Sequence, residues 1–376
     1  MTENKKIEIL VFPRSNFGEQ DVEILKEIGE EEGFEVNVDN SACPFWLSYK
    51  FLKILLSPSR IFEYYKRLKR VDIFFAWWAT SFDIVLLAKI IKKPCIIVAG
   101  GGEVENLRKM PKEYKSYSNS SFIRRLKIKF ALKFADKIIS VSNYTKENVD
   151  RITNSKNKNH EVVHNGIDID FFKPMKIKKK SYILTVLWMS KLRMDIKGVL
   201  PLLEAFSKVI LRYPEYYLVY LGNEFEKIGA GEIIKSKAKE LGILDKIIIM
   251  NFPKDRKTYA KFLNQCKIYI QYSWNEMSPV SIREAMACGV PVIGSDIPGI
   301  REVVGNAGLL ADRGDMIKGN PEDLAKKIEL LLSDNNLYNR LSRLGIKRVR
   351  KYFSKTIRKE RLRIIINNLL KTKNKD

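Results

Sequence analysis

Histidine is nearly absent from this chain of 376 residues, which has only His160 and His164, and cysteine occurs four times, at 43, 95, 266 and 288. No two cysteines stand at metal-ligand spacing. A zinc centre and a disulfide scaffold are therefore excluded, no metal is expected, and the thiols are read as reduced and mostly buried. No apolar run approaches the ~18 residues that a membrane-spanning helix needs. The opening, MTENKKIEILVF, lacks the apolar core and small-residue cleavage site of a signal peptide, so a cytoplasmic location is expected. Acidic residues are in deficit, 44 against 68 Lys and Arg, which leaves a net charge of +24. Three kinds of partner suit that charge: nucleic acid, an anionic membrane surface, or anionic substrates. Composition does not choose among them, and a biased genome would also produce such Lys/Ile/Asn-rich usage. No recognised nucleic-acid motif is present, so that partner has charge alone in its favour.

The apolar fraction of 45% and charged fraction of 30% describe a globular chain, and the length suits two domains. Short apolar runs predict strands at 7–12, 34–38, 72–76, 95–99, 137–141 and 162–163. A second series follows at 182–187, 216–221, 246–251, 268–271, 290–294 and 308–310. Helical patterns lie between them, at 19–32, 81–91, 198–212, 230–241, 256–264 and 279–287. Such alternation implies an α/β chain with parallel sheets and helices on both faces. FFKPMKIKKKS, residues 171–181, reads as a linker between two doubly wound, Rossmann-like domains that face each other across a cleft. The boundaries so drawn are 1–170, 171–350, and a last helical piece, 351–376, crossing back to the first domain. In such sheets ligands bind at the carboxyl ends of strands.

The most informative stretch is IYIQYSWNEMSPVSIREAMACGVPVIGSD, residues 268–296. A strand ends near Tyr272, a loop carries Glu276, and a helix begins. Ser278 suits its N-cap, Pro279 its first position, and Gly289 the residue just past its end. Backbone N–H groups around Val280 and Ser281 then point out of the helix start, where an anion such as a diphosphate is favoured. Glu284, in the second turn, is placed to accept from ribose hydroxyls. Glu276, in the loop, is placed to hold sugar hydroxyls beyond the diphosphate.

This segment resembles the E-x7-E signature of glycosyltransferase family four, retaining enzymes of the GT-B fold. Glu276, Glu284, Ala285, Met286, Ala287, Gly289, Pro291 and Val292 match, whereas Met277-Ser278-Pro279 stands where the family usually has Gly-Phe-Gly. Residues 135–149, 162–174 and 296–310 also resemble family segments, in the same order. In the family an Arg and a Lys after the first strand of the second domain clamp the donor diphosphate. Lys191 stands at the Arg position and Lys197 at the Lys position. Two cations there would stabilise charge growing on the leaving nucleoside diphosphate, with Lys191 acting as a point charge. The family often has a sugar-contacting histidine in the first domain. None is present, and Glu103 is the candidate for its place. Gly18, after the first strand, and Gly101 and Gly102, in AGGGEVENL, are the candidates for close backbone approach on the acceptor side.

The resemblance implies transfer of a sugar from a nucleoside-diphosphate-sugar to an acceptor hydroxyl with retention, without a metal or other cofactor. The acceptor is unknown; a glycan or lipid-linked glycan precursor fits. Two basic segments, residues 50–70 and 120–137, mix lysines, arginines and aromatics, and suit either an anionic membrane interface on the inner face of the membrane or ordinary core-facing helices. A nucleotide-sugar epimerase of the same fold and a basic nucleic-acid-binding protein are the alternatives.

Overall fold

Runs of β-branched and aromatic residues become strands here because they are buried on both faces, as parallel sheets require. The computed structural model describes residues 7–13, 15–39, 66, 68–106, 116–154, 159–188, 193–223, 225 and 229–373. Lys191, Cys43 and most of the basic segment 50–70 lie outside them. The chain divides into two compact units, Met1–Asn165 with Thr356–Asp376, and Gly166–Lys355.

The first unit contains β1 (Glu8–Phe12), α1 (Asn16–Glu32), β2 (Glu35–Val38), β3 (Ile73–Trp77), α2 (Phe82–Ile90), β4 (Cys95–Ala99), a 3-10 turn (Gly102–Val104), α3 (Phe122–Phe134), β5 (Lys137–Ser140), α4 (Asn143–Thr153) and β6 (His160–Val162). Its strands are parallel in the order β2-β1-β3-β4-β5-β6. Alternate residues feed two cores. Leu10, Phe74 and Ala76 join Ile128 and Leu132 on one face, while Ile9, Val11, Ile73 and Phe75 join Ile24 and Ile28 on the other.

The second unit contains β7 (Tyr182–Trp188), α5 (Arg193–Ile196), α6 (Val199–Val209), β8 (Tyr217–Asn223), α7 (Ala230–Glu240), β9 (Ile247–Asn251), α8 (Arg256–Gln265), β10 (Ile268–Gln271), α9 (Val280–Ala287), β11 (Val292–Ser295), α10 (Pro298–Val304), β12 (Leu309–Ala311), α11 (Pro321–Ser333) and α12 (Asn335–Tyr352). The strand order is β12-β11-β10-β7-β8-β9. The chain winds outward from β7 through β9, then returns to β7's other side at β10. That reversal opens a crevice at the carboxyl ends of β7 and β10.

The last helix, α13 (Lys355–Lys373), returns to the first unit. Its Leu362, Ile365 and Ile366 enter the core beside Ile24 and Ile28 of α1.

Each of the twelve strands expected from the sequence is present, with no end displaced by more than two residues. Residues 171–181 differ from the free linker that their proline and lysines suggest. Phe172 is buried in the second unit's core, and Asn264 Oδ1 accepts the Met175 N–H at 2.8 Å. Cys95, Cys266 and Cys288 are buried free thiols; burial pushes Cys266 and Cys288 up to about 12. No described helix is long and apolar enough to cross a membrane.

Candidate functional site

Two loops meet at the crevice of the second unit. One follows β7 and carries Lys197 between α5 and α6. The other follows β10 and carries Glu276 ahead of α9. They are tied by a backbone hydrogen bond, Trp274 N–H to Ile196 carbonyl, at 2.6 Å. Gly198, next to Lys197, makes the approach possible. Its φ of +61° is left-handed, and a Cβ there would lie 2.1 Å from the Tyr272 carbonyl oxygen. Gly299, in the first turn of α10, does the same on the far side: a Cβ would lie 2.0 Å from the Glu276 carbonyl oxygen. The Glu276 loop is thus held between two glycines.

The Lys197 ammonium and the Glu276 carboxylate form an ion pair, their side chains only 15% and 17% exposed. Glu276 Oε1 also accepts from Gln271 Nε2 and Ser273 Oγ, both at 3.1 Å. The Gln271 amide is itself oriented: its Oε1 accepts from Tyr269 OH at 2.8 Å and from Ser281 Oγ at 3.3 Å. The carboxylate is therefore fixed by the strand end, whereas Glu276 is the one partner seen for the lysine's amine among the described residues. A cation whose anion partner stays in place can exchange onto an incoming phosphate.

Glu284 sits in the second turn of α9, where Tyr259 OH donates to its Oε2 at 3.1 Å. Loss of solvation lifts its carboxyl from 4.5 to about 7, although Tyr259, Arg256 and Arg283 all pull the other way. Near neutrality the group is poised between acid and carboxylate. Hydroxyl donors from a ligand would favour the ionised form.

The start of α9 departs by one residue from expectation. Pro279 has ψ 121°, outside the helical range, and is itself the N-cap; the helix begins at Val280. No side chain caps it, so the first N–H groups, those of Val280 and Ser281 included, face outward without a capping oxygen. Ser278 does not cap, because its hydroxyl accepts from the Arg283 guanidinium. Arg283 is fully buried and lies over the Phe353 ring, 4.6 Å from its centroid.

In the first unit, Gly18 lies in the first turn of α1 after β1. Its N–H is capped by Ser15 Oγ at 3.1 Å, and a Cβ would fall 2.0 Å from the Pro13 carbonyl oxygen. Gly101 and Gly102 follow β4 and lead into the 3-10 turn. Glu103 is buried and turned to its own loop: Oε1 accepts the Gly100 N–H at 2.8 Å, and burial raises its carboxyl's affinity for the proton. It braces the glycine loop from within through this oxygen, while its Oε2 is buried without a hydrogen-bond partner among the described residues.

The structure therefore groups Lys197, Glu276, Glu284, Val280 and Ser281 in the second unit. Gln271, Ser273, Tyr259 and Gly299 were not legible as site residues. Only the Pro-Gly at 298–299 gave a local signal, as a helix-opening turn; the others act through neighbours distant in sequence.

Two family models match the chain, Glycosyltransferase Family 4 over residues 9–171 and Glycosyl transferases group 1 over residues 168–348. An uncharacterized glycosyltransferase of Methanocaldococcus jannaschii is 26% identical over 326 residues, 86% of this chain and 83% of that one. A Campylobacter jejuni N,N'-diacetylbacillosaminyl-diphospho-undecaprenol alpha-1,3-N-acetylgalactosaminyltransferase is 39% identical over 84 residues, 22% of this chain and 21% of that one. Among solved structures, Anabaena HepE in complex with UDP superposes with a TM-score of 0.72 at 14% identity, covering 96% of this chain and all (100%) of that one, which shows the same GT-B fold. The two matched regions, the two doubly wound sheets and the loop pair at the β7/β10 crevice converge on one assignment: this chain belongs to glycosyltransferase family four and is a glycosyltransferase of the GT-B fold.

Proposed function

We propose that the chain moves a sugar from a nucleoside-diphosphate-sugar to an acceptor hydroxyl with retention at the anomeric carbon. The observation that carries this is the Lys197–Glu276 pair at the β7/β10 crevice, beside the uncapped start of α9 with Glu284 in its second turn. In this reading Lys197 and the Val280 and Ser281 N–H groups take the diphosphate. Glu276 takes sugar hydroxyls, and Glu284 takes the ribose. Lys191 is assigned to the diphosphate as well, from its sequence position alone. The acceptor oxygen bonds to the anomeric carbon as the bond from that carbon to the phosphate oxygen breaks, on the same face. The acceptor's proton passes to the leaving diphosphate. Negative charge on that leaving group is neutralised by lysine and by the helix start, so no metal ion has a part. Gly18, Gly101 and Gly102 remain the proposed acceptor-side positions, with Glu103 supporting their loop.

A lipid-linked glycan is the acceptor class proposed. The Campylobacter relative's name, which specifies a diphospho-undecaprenol acceptor, supports it. The test is a screen of nucleotide-sugars for nucleoside diphosphate release with and without lipid-linked and free glycan acceptors, with Glu284→Ala and Lys197→Ala as controls. Acceptor-dependent release that both variants lose is the expected result, and the anomer formed reports retention. Sugar isomerisation without any acceptor would favour the epimerase reading. No turnover or binding with any nucleotide-sugar would overturn the proposal.

A further inference from the structure

Helix α3 presents the wrong face to water for a purely structural helix. Of its own residues only Ile128, Ala131 and Leu132 are buried. Phe122, Ile123, Leu126 and Phe134 are 67%, 65%, 51% and 43% exposed. At about 100° per residue, Phe122, Leu126 and Lys133 fall on one outward line, with Ile123 and Phe134 continuing the stripe and Phe130, half-buried against the core, between them. Lys129 borders it on one side and Lys127 on the other. Between Phe122 and Phe134 the helix has Arg124, Arg125, Lys127, Lys129 and Lys133, and no acidic residue. The basic heads lie along apolar rings: Lys127 Nζ is 4.7 Å from the Phe82 centroid, and Lys133 Nζ 5.9 Å from that of Phe134. Asp136, two residues past the helix's end, is taken by Lys89 at 2.7 Å.

A contiguous exposed apolar stripe marks an interaction surface. Its rim decides the partner. Lysines and arginines on flexible stems around aromatic and aliphatic side chains match the headgroup boundary of an anionic bilayer, where the apolar groups enter the acyl region and the amines stay at the phosphates. We propose that α3 is a membrane-docking helix that lies in the plane of an anionic lipid surface, embedding Phe122, Ile123 and Leu126. This surface belongs to the first unit and the donor crevice to the second, and the test of the surface does not involve turnover.

The full chain is sedimented with phosphatidylglycerol-containing vesicles and with pure phosphatidylcholine vesicles, at low and high salt. Binding is expected to the anionic vesicles, weakening as salt rises. Phe122→Ser with Leu126→Ser should weaken vesicle binding by about tenfold or more. Lys129→Gln with Lys133→Gln should remove most of the preference for anionic lipid. Circular dichroism of each variant checks that the fold is kept; Phe122, Leu126 and Lys133 are exposed, and Lys129 is half-buried. No binding to anionic vesicles at low salt, or equal binding by folded parent and Phe122/Leu126 variant, overturns the proposal. So does a parent that self-associates in solution while the variant is monomeric, because the face would then belong to a second copy.

Discussion

Lys197 and Glu276 reach each other from loops on either side of the strand-order reversal, and Glu276 is the better anchored of the two, with Gln271 and Ser273 also donating to it. In the absence of donor, each neutralises the other. A diphosphate entering the crevice has to draw the lysine away. Glu276→Gln keeps the side chain's shape but releases the lysine, so affinity for nucleoside diphosphate should rise severalfold. Sugar transfer should fall by about a hundredfold or more, since the contact that positions the sugar is lost. Calorimetric titration with nucleoside diphosphate, set beside steady-state turnover, checks both. Unchanged diphosphate affinity would mean that the lysine stays with its carboxylate when the donor binds.

The glycine beside that lysine permits a second test. Gly198 and Gly242 both have left-handed backbones, φ +61° and +70°, but only Gly198 faces another backbone. Gly242→Ala should cost about 1 kcal/mol, the conformational cost alone. Gly198→Ala must also move the Tyr272 carbonyl, so its cost should exceed that clearly and donor affinity should drop with it. Equal shifts in urea unfolding for the two variants would show that the β7 and β10 loops are not held together by this close approach.

The parts legible in sequence were those set by local pattern. Buried strands announce themselves as apolar runs, and the Glu276/Glu284 spacing lies within one loop and helix. What sequence concealed depends on partners far along the chain. Ser278 looks like an N-cap until Arg283, five residues on, claims its hydroxyl. Tyr259 reaches Glu284 across 25 residues, from a different helix. That one oxygen of Glu103 is held by the Gly100 N–H of its own loop was likewise not readable from the sequence. In α3, apolar residues occur on both faces, so periodicity could not say which face the core would take; the helix buries its Ile128, Ala131 and Leu132 in the first unit's core instead.

Glu284 should make donor binding depend on pH. Its carboxyl is raised to about 7, and ribose hydroxyls donate best to the ionised form. Affinity for an intact nucleotide-sugar, which has no titrating phosphate near neutrality, should therefore rise by up to about tenfold from pH 6 to pH 8. The effect on folding has the opposite sign. The unfolded chain loses this proton near 4.5 and the folded chain near 7, so the contribution is complete below 4.5 and lost as pH climbs through 7. Glu284→Gln should flatten both profiles. A parent whose nucleotide-sugar affinity is level across this range would remove the ribose role from Glu284.

In the first unit, stability should hinge on one buried pair. Arg358 of α13 grips Asp21 of α1 with two bonds of 2.6 Å, Nε to Oδ1 and a terminal nitrogen to Oδ2, and both side chains are 1% exposed. The remaining capacity on each side is also used. Trp77 Nε1 donates to Asp21 at 2.9 Å, and Arg358 donates to the Val163 and His164 carbonyls at 2.8 and 3.0 Å. Removing one ion strands the other where water cannot reach it. Arg358→Met should therefore cost about 3–5 kcal/mol, whereas Arg363→Ala, which breaks more exposed pairs to Glu31 and Glu32, should cost under about 1 kcal/mol. Adding Asp21→Leu to Arg358→Met should recover part of the loss, because no charge is then left buried. Urea unfolding of the three variants measures the ordering. If Arg358→Met and Arg363→Ala unfold alike, α13 is held by its apolar face of Leu362, Ile365 and Ile366, and the ion pair adds little to that attachment.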